Sequence, residues 1–472
     1  MANIARNRII YSSQAVYISP SSTGYHLQSG AGGGGAGTDD NFGSNWTGVT
    51  GRTNTANETP SGLEVTQYRS LIQPLHRVQS ANFSFSVNRE DIIEFGGGAR
   101  LDTLVMEAPT VNLDLSYYAI DGGNERKLGF NIPSSIIRDV NLASVVHHTG
   151  DLCNSGKSSL SGHLEDVQGN NYFIAVSKEG LDAAGNSTLT AATDEFDVIA
   201  IGNGFISDYS VEASVGSIPS VSVSVEAFNI KADDHVSGTL PGQDPTIPAV
   251  DVTGGTTGTY GSAKHYIIPT YQTGILDSAG ATATLSALKP GDIELTISSA
   301  SSYQGITDLD LAGKAHIQSF SLSIPMSRTV LQRLGSTFGY ARVIDVPLTI
   351  SCSISAVVSE LQASAAGSTK ANVYEMLCSN QLHDLTLSLN SKCGGADVKQ
   401  LKYIVKNARM EGESFSNSIG SDQTVDISFT AQVGGANDTA NGVIMEGNYE
   451  AWTSLSYWPI GAQKDDDASY GV

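Results

Sequence analysis

The sequence predicts an all-β protein with short helices, in which one unit is built twice in tandem. Three observations predict it. Only 16% of the 472 residues are charged and 50 are glycine, with serine and threonine abundant, a mixture suited to strands and turns. Apolar and polar residues alternate in several segments, the period of half-buried antiparallel strands. Those segments then recur in the same order farther along, at a spacing too long for a solenoid of small units.

The first recurrence joins Tyr11, Ser13, Tyr17, Ile18 and Pro20 to Tyr260, Ser262, Tyr266, Ile267 and Pro269, a shift of 260 − 11 = 249. Gly30 to Gly37 is almost all glycine and predicts a flexible loop. The second block runs from Val78 to Tyr118 and recurs without a gap at a shift of 317 − 78 = 239. Phe83, Phe85 and Val87 become Leu322, Ile324 and Met326, and Val111, Leu113 and Leu115 become Ile350, Cys352 and Ile354. Between these strands the pattern predicts a short helix. Asn88 can cap it, Glu90 and Asp91 suit its positive first turn, and Gly96 can end it. Ser327 and Gly335 hold the same places in the second copy, with Leu331 and Leu334 matching Ile92 and Phe95. Asp121, Gly122 and Gly123 read as a turn.

The third block, Asn203 to Ala227, recurs as Asn407 to Ala431, with 407 − 203 = 204. Val221, Val223 and Val225 become Val425, Ile427 and Phe429, again alternating. The falling shift leaves about 239 − 204 = 35 extra residues in the first copy, placed around Val145 to Asn170. The expected organisation is a first domain over 1–230, a Gly/Pro/Thr/Asp-rich linker over 231–257, a second domain over 258–435, and a tail over 436–472. The tail carries Tyr449, Trp452, Tyr457 and Trp458, then Lys464 and three aspartates, and its aromatics suit a last strand or an arm on a neighbour.

The net charge of −22 argues against a surface that grips nucleic acid, because phosphate neutralisation needs clustered Lys and Arg. It is compatible with DNA passing by without sticking. There is no apolar run of membrane-spanning length, and the N-terminal residues lack a secretory leader's apolar stretch, so no membrane insertion and folding in a cytoplasm are expected. Cys153, Cys352, Cys378 and Cys393 form no C-x-x-C pair and none is duplicated between the copies. They read as reduced thiols.

No chemical motif survives inspection. Gly156, Lys157 and Ser158 suggest a phosphate loop, but the glycine required five places earlier is Asp151. His147 and His148 have no third metal ligand at a recognisable spacing. Gly96 to Gly98 follow an expected helix and do not begin one, unlike a dinucleotide fingerprint. Neither a catalytic triad nor a carboxylate pair stands out. The expectation is therefore a structural protein, with no enzyme activity, cofactor or metal.

The segment from Leu75 to Arg89, the expected capped helix, Leu104 to Val111, and Gly204 to Ala227 together resemble the tail-tube (major tail) proteins of bacteriophages. The resemblance covers most of both copies and rests on pattern and element order. It implies a β-sandwich or partial barrel with one flanking helix in each copy. It also implies rings stacked around the channel through which the phage genome leaves. Single-domain members form hexameric rings, so a duplicated chain implies homotrimers with pseudo-sixfold symmetry. Tape-measure, tail-tip and tail-completion proteins are the implied partners, and the virion tail, assembled in the host cytoplasm, the implied location. A tail-tip, neck or receptor-binding fibre or adhesin protein is the alternative, and a carbohydrate-active enzyme ranks last.

If one sheet face lines a channel, the polar partners of the alternating strands should lie on it. These are Asn112, Asp114, Ser116, Ser222, Ser224 and Glu226, with Ser351, Ser353, Ser355, Asp426, Ser428 and Thr430. None is basic, as a DNA-repelling wall requires. A face turned to outer solvent fits the same pattern.

Overall fold

The computed structural model describes residues 14–20, 73–106, 109–132, 134–137, 158–165, 169–176, 195–237, 239–240, 266–267, 274–276, 282–284, 293–298, 316–332, 334, 341–357, 382–391, 398–417, 422–435, 438 and 440–451. The fold is all-β. The first half of the chain supplies β1 (Gln14–Pro20), β2 (Gln73–Pro74), β3 (Val78–Ser86), β4 (Arg89–Ile93), β5 (Arg100–Val105), β6 (Thr110–Tyr118), β7 (Ser134–Ile137), β8 (Asn170–Val176), β9 (Glu195–Ser214), β10 (Ser220–Ala227), β11 (Asn229–Ser237) and β12 (Thr239–Leu240). The second half supplies β13 (Tyr266–Ile267), β14 (Gly274–Leu276), β15 (Thr282–Thr284), β16 (Ile293–Ser298), β17 (His316–Pro325), β18 (Arg328–Leu331), β19 (Ala341–Ile344), β20 (Leu348–Val357), β21 (His383–Ser391), β22 (Val398–Ser416), β23 (Thr424–Val433) and β24 (Gly442–Ala451). Among the described residues two five-residue helices, α1 (Gly123–Lys127) and α2 (Ser161–Glu165), interrupt the strands.

Sixteen of these strands are hydrogen-bonded into one sheet, whose central run is β3-β6-β10-β9-β17-β20-β23-β22. The long strands β9 and β22 leave this run half-way along. The first half of β9 pairs with β8 and β11, and its second half with β10 and β17. Likewise β22 turns from β21 and β24 to β23. The bend falls at Asn203 and Asn407, whose φ angles of 55° and 52° lie in the left-handed region that asparagine tolerates best after glycine. Each bend is pinned from the neighbouring strand. Asn203 N–H donates to Asn171 Oδ1 (3.2 Å), and Asn407 N–H to Asp384 Oδ1 (3.0 Å).

The ladders repeat residue for residue. Val111 faces Ala227 and Ile350 faces Ala431, displaced by 350 − 111 = 239 and 431 − 227 = 204. The β10–β9 ladder slips between Ser224 and Val225, and the β23–β22 ladder slips at the matching place, where Ser428 pairs with Gly412 and Phe429 with Met410. The slip after Val78 in β3 recurs after Ile317 in β17. The alternate apolar residues of both sets converge on one buried cluster, from Val111, Tyr172 and Val223 to Ile350, Leu387 and Ile427.

Several expectations need correction. The helix expected from Asn88 to Gly96 is a β-hairpin, β4 with β5, and the one expected after Ser327 is the hairpin β18–β19. Asn88, Gly96 and Ser327 are therefore not helix caps, while Gly335 lies outside the described residues. Arg89 faces Val105 and Glu90 faces Leu104, so strand partners more than a dozen residues away outweigh the local cap signal. Gly96, at φ +98°, serves the hairpin turn instead. The turn at Asp121 to Gly123 leads into α1, which the alternation pattern did not indicate. The opening match at a shift of 249 does not describe the pairing. Val16 faces Ile174 in β1–β8, and its counterpart is Leu295, facing Leu387 in β16–β21, a shift of 295 − 16 = 279. Tyr266 and Ile267 pair instead with β12. Strand β11 runs into the stretch read as linker, and β24 into the stretch read as tail. Trp452, Tyr457, Trp458, the glycine run at 30–37 and His147 and His148 lie outside the described residues.

Candidate functional site

Side chains alternate across a strand, so the central run has two chemically distinct faces. One is apolar and buried, including Leu113, Val211, Val223, Leu322, Ile354 and Ile427. All twelve polar residues nominated from the sequence stand at the alternate positions, on the other face. Ser222 faces Ser116, Ser224 faces Asp114 and Glu226 faces Asn112. In the second half Ser351 faces Thr430, Ser353 faces Ser428 and Ser355 faces Asp426.

The structure joins these two groups into one surface through β9 and β17. Ser210 faces Ser323, Glu212 faces Ser321 and Ser214 faces Ser319. These residues, with Asp208, belong to the same face and were not nominated. Their own alternation was visible in 208–214 and 319–323, but the β9–β17 junction that brings them together was not. Hydroxyls tie the strands sideways. Ser80 and Ser116 meet at 2.6 Å, Ser321 and Ser353 at 2.6 Å, and Ser224 Oγ donates to Asp114 Oδ1 at 2.8 Å. Thr430 Oγ1 donates to Glu411 Oε1 at 2.7 Å. Partial burial pushes the Asp208 carboxyl up from its ordinary range, against a hydrogen bond from Ser323.

The face is thus serine-rich and acidic, with Asp114, Asp208, Glu212, Glu226, Glu411 and Asp426 on it. Its basic neighbours stand at one end and one edge. At the end, the β18–β19 hairpin folds over. Arg342 bonds Glu226 Oε2 at 2.5 Å and lies over the Phe228 ring (4.4 Å to its centre). Arg328 lies over Phe205 (4.9 Å) and donates to the His163 carbonyl (2.9 Å). Glu226 is therefore neutralised by an ion pair. At the edge, Arg409 faces Thr430.

Beneath the face is a buried polar cluster. Tyr117 and Tyr209 hydroxyls donate to Glu125 Oε1 at 2.9 and 3.3 Å, and the hydroxyls of Tyr209 and Tyr403 meet at 2.9 Å. Burial pushes the Glu125 carboxyl up to about 7, against the lowering effect of its hydrogen bonds. The cluster joins α1, β6, β9 and β22, so it ties the two halves together. Nearby His163 packs edge-on against Phe130 (4.6 Å), and burial, helped by Arg328, pushes its imidazole down to about 3, so it is neutral. Cys352 is a free, buried thiol whose ionisation burial opposes. Among the described residues no cluster of His, Cys, Asp or Glu is arranged to hold a metal ion, and no helix is long and apolar enough to cross a membrane.

No protein-family model matches the chain, and no curated protein matches it. Among solved structures it is similar to the anti-feeding prophage tube-terminating cap, at 13% identity, 37% of this chain, 99% of that chain and a TM-score of 0.24. A chain of the anti-feeding prophage baseplate matches at 11% identity over 27% of this chain and 77% of that one, with a TM-score of 0.20. Hcp protein matches at 13% identity over 33% and 96%, with a TM-score of 0.17. Likeness at this level is too slight to decide function.

Proposed function

We propose that this chain is a structural subunit of a phage tail, in which copies associate into rings that stack as a tube for DNA delivery. One observation carries the reading: a continuous, serine-rich, acidic sheet face crosses both halves of the chain and, among the described residues, ends at an open strand edge on each side. Short hydroxyls bonded to one another leave few groups to grip a phosphate backbone, and the carboxylates repel it. Such a surface suits the wall of a channel through which DNA slides. The reading places the twelve nominated residues, with Asp208, Ser210 and Glu212, on the lumen side. Three chains per ring would supply six repeats, and tape-measure, tail-tip and tail-completion proteins would meet the tube ends. The role is structural, without catalysis.

The test is negative-stain electron microscopy of the purified protein with native mass measurement in parallel. Hollow tubes or stacked rings of three chains are expected. A discrete, elongated, unstacked trimer would move the assignment to a fibre or tip protein.

A further inference from the structure

The ends of the central run differ from its middle in one respect. In the middle, β17 pairs with the second half of β9, and Leu322 of β17 faces Val211 of β9. By the displacements established above, the counterpart of β17 is β3 and the counterpart of β9 is β22. Among the described residues both are edges of the ladder: β3 pairs with β6, and residues 409–416 of β22 pair with β23. Leu322, Ile324 and Val211 are 0% exposed, whereas their counterparts Phe83, Phe85 and Phe415 are 42%, 64% and 39% exposed. Aromatic side chains on an open strand edge form a template for another strand.

The hairpins tell the same story. In the middle, β18–β19 closes over the first half of the chain. Its counterpart β4–β5 presents Ile92, Ile93, Leu101 and Met106 to solvent, while other positions are alike in the two hairpins, Phe95 and Leu334 being 107% and 104% exposed and Leu104 and Val343 47% and 45%. It has the same register as β18–β19, since Arg89 faces Val105 where Arg328 faces Ile344.

We infer that the β3 edge of one copy pairs antiparallel with residues 412–416 of β22 in a second copy, in the register of the internal β17–β9 junction. Phe83 then faces Phe415, Ser84 faces Ser414 and Asn82 faces Ser416. The inference deepens the ring reading and rests on it. Because the two edges differ, the contact is head-to-tail, the kind that closes rings. The serine rows continue unbroken across it, since Ser84 and Ser414 repeat the pairing of Ser323 with Ser210. The two junctions are not chemically identical. Phe205 and Glu226, which receive Arg328 and Arg342, correspond to Arg409 and Thr430, and Arg342 corresponds to Thr103. In the same register Arg89, the counterpart of Arg328, falls against Arg409, and Phe85 falls opposite Glu413, so the contact between copies carries charge beside the apolar pair of Phe83 and Phe415.

Cysteine cross-linking tests the register. The Ser84→Cys/Ser414→Cys variant, oxidised after assembly, should give a ladder of covalent multimers on non-reducing gels that ends at the ring number. Each single variant, and the diagonal pair Ser84→Cys/Ser416→Cys, should give far less. Rings seen by microscopy without the 84–414 cross-link would overturn the register and leave the ring reading standing. A chain that stays monomeric overturns both. As an independent variant, Phe83→Asp/Phe85→Asp should leave circular dichroism unchanged and abolish multimers. Multimers that persist in it would also overturn the proposal.

Discussion

Glu125 is a carboxyl held among three tyrosines in the core, and its environment fixes the sign of a pH effect. Its folded value near 7 stands above the ordinary 4.5, so the folded state keeps a proton that the unfolded state has lost. Stability from this group is full below about pH 4.5 and falls as pH rises towards 7, by on the order of 3 kcal/mol. Glu125→Gln keeps an acceptor for Tyr117 and Tyr209 while removing the ionisation. Melting temperatures of the two proteins, measured from pH 5 to pH 8, should converge at low pH, with the variant the more stable at high pH. A parallel decline in both would show that the fold does not raise this carboxyl above its ordinary value. Asp384 works the other way. Burial raises its carboxyl, but Lys406 Nζ at 2.7 Å and the Asn407 N–H together hold it below the ordinary range. Its stabilisation is present at neutral pH and is lost on acidification through that depressed value. Asp384→Asn should therefore cost more at pH 7 than at pH 3 in chemical denaturation. An equal cost at both would remove the ion pair from the account.

At the scale of elements, the bends at Asn203 and Asn407 decide how a single strand serves two layers. The left-handed conformation costs most side chains about 1–2 kcal/mol, and Asn203 Oδ1 also accepts from Gly169 N–H at 3.0 Å. Asn203→Ala should lose about 2 kcal/mol in denaturant unfolding, and Asn203→Gly less, because glycine keeps the backbone relaxed. Equal losses in the two would mean that the hydrogen bond, and not the backbone, sets the cost. These bends fall at the first residue of a block whose repetition was legible in the sequence, as were the strands on either side. Legibility followed the period. Where a strand has one wet face, as in β6 or β23, alternation gave both its identity and its orientation. The β4–β5 hairpin was misread because its local signals, a capping asparagine, acidic residues and a terminal glycine, suit a helix start and stop equally well. Only the cross-strand partners decide against it, and those are set by the fold. The β1 counterpart was misplaced for a related reason. Five scattered identities are weaker than a ladder, and Leu295 shares its pairing with Val16 while its flanks share little sequence.

At the scale of the molecule, the polar face was legible residue by residue but not as a surface. Along the sequence the twelve side chains form two separate sets, and only the pairing of β9 with β17 joins them, with Asp208, Glu212 and a band of serines at the seam. That seam makes the face continuous within a chain, and the matching free edges would extend it around a ring. Its charge then becomes a functional variable. Asp114 and Asp426 are exposed on it, one in each half. Replacing both with lysine changes two repulsive groups into attractive ones along the proposed DNA path, without touching the edges or the buried cluster. If the face lines the channel, particles carrying Asp114→Lys/Asp426→Lys should assemble normally and eject their genome more slowly. The delay should shrink as salt is raised, because screening acts over about 8 Å at physiological ionic strength. Asp114→Asn/Asp426→Asn separates attraction from mere loss of repulsion and should delay ejection less. Ejection kinetics unchanged in both variants, from particles of normal length, would place the serine face on the outside of the tube.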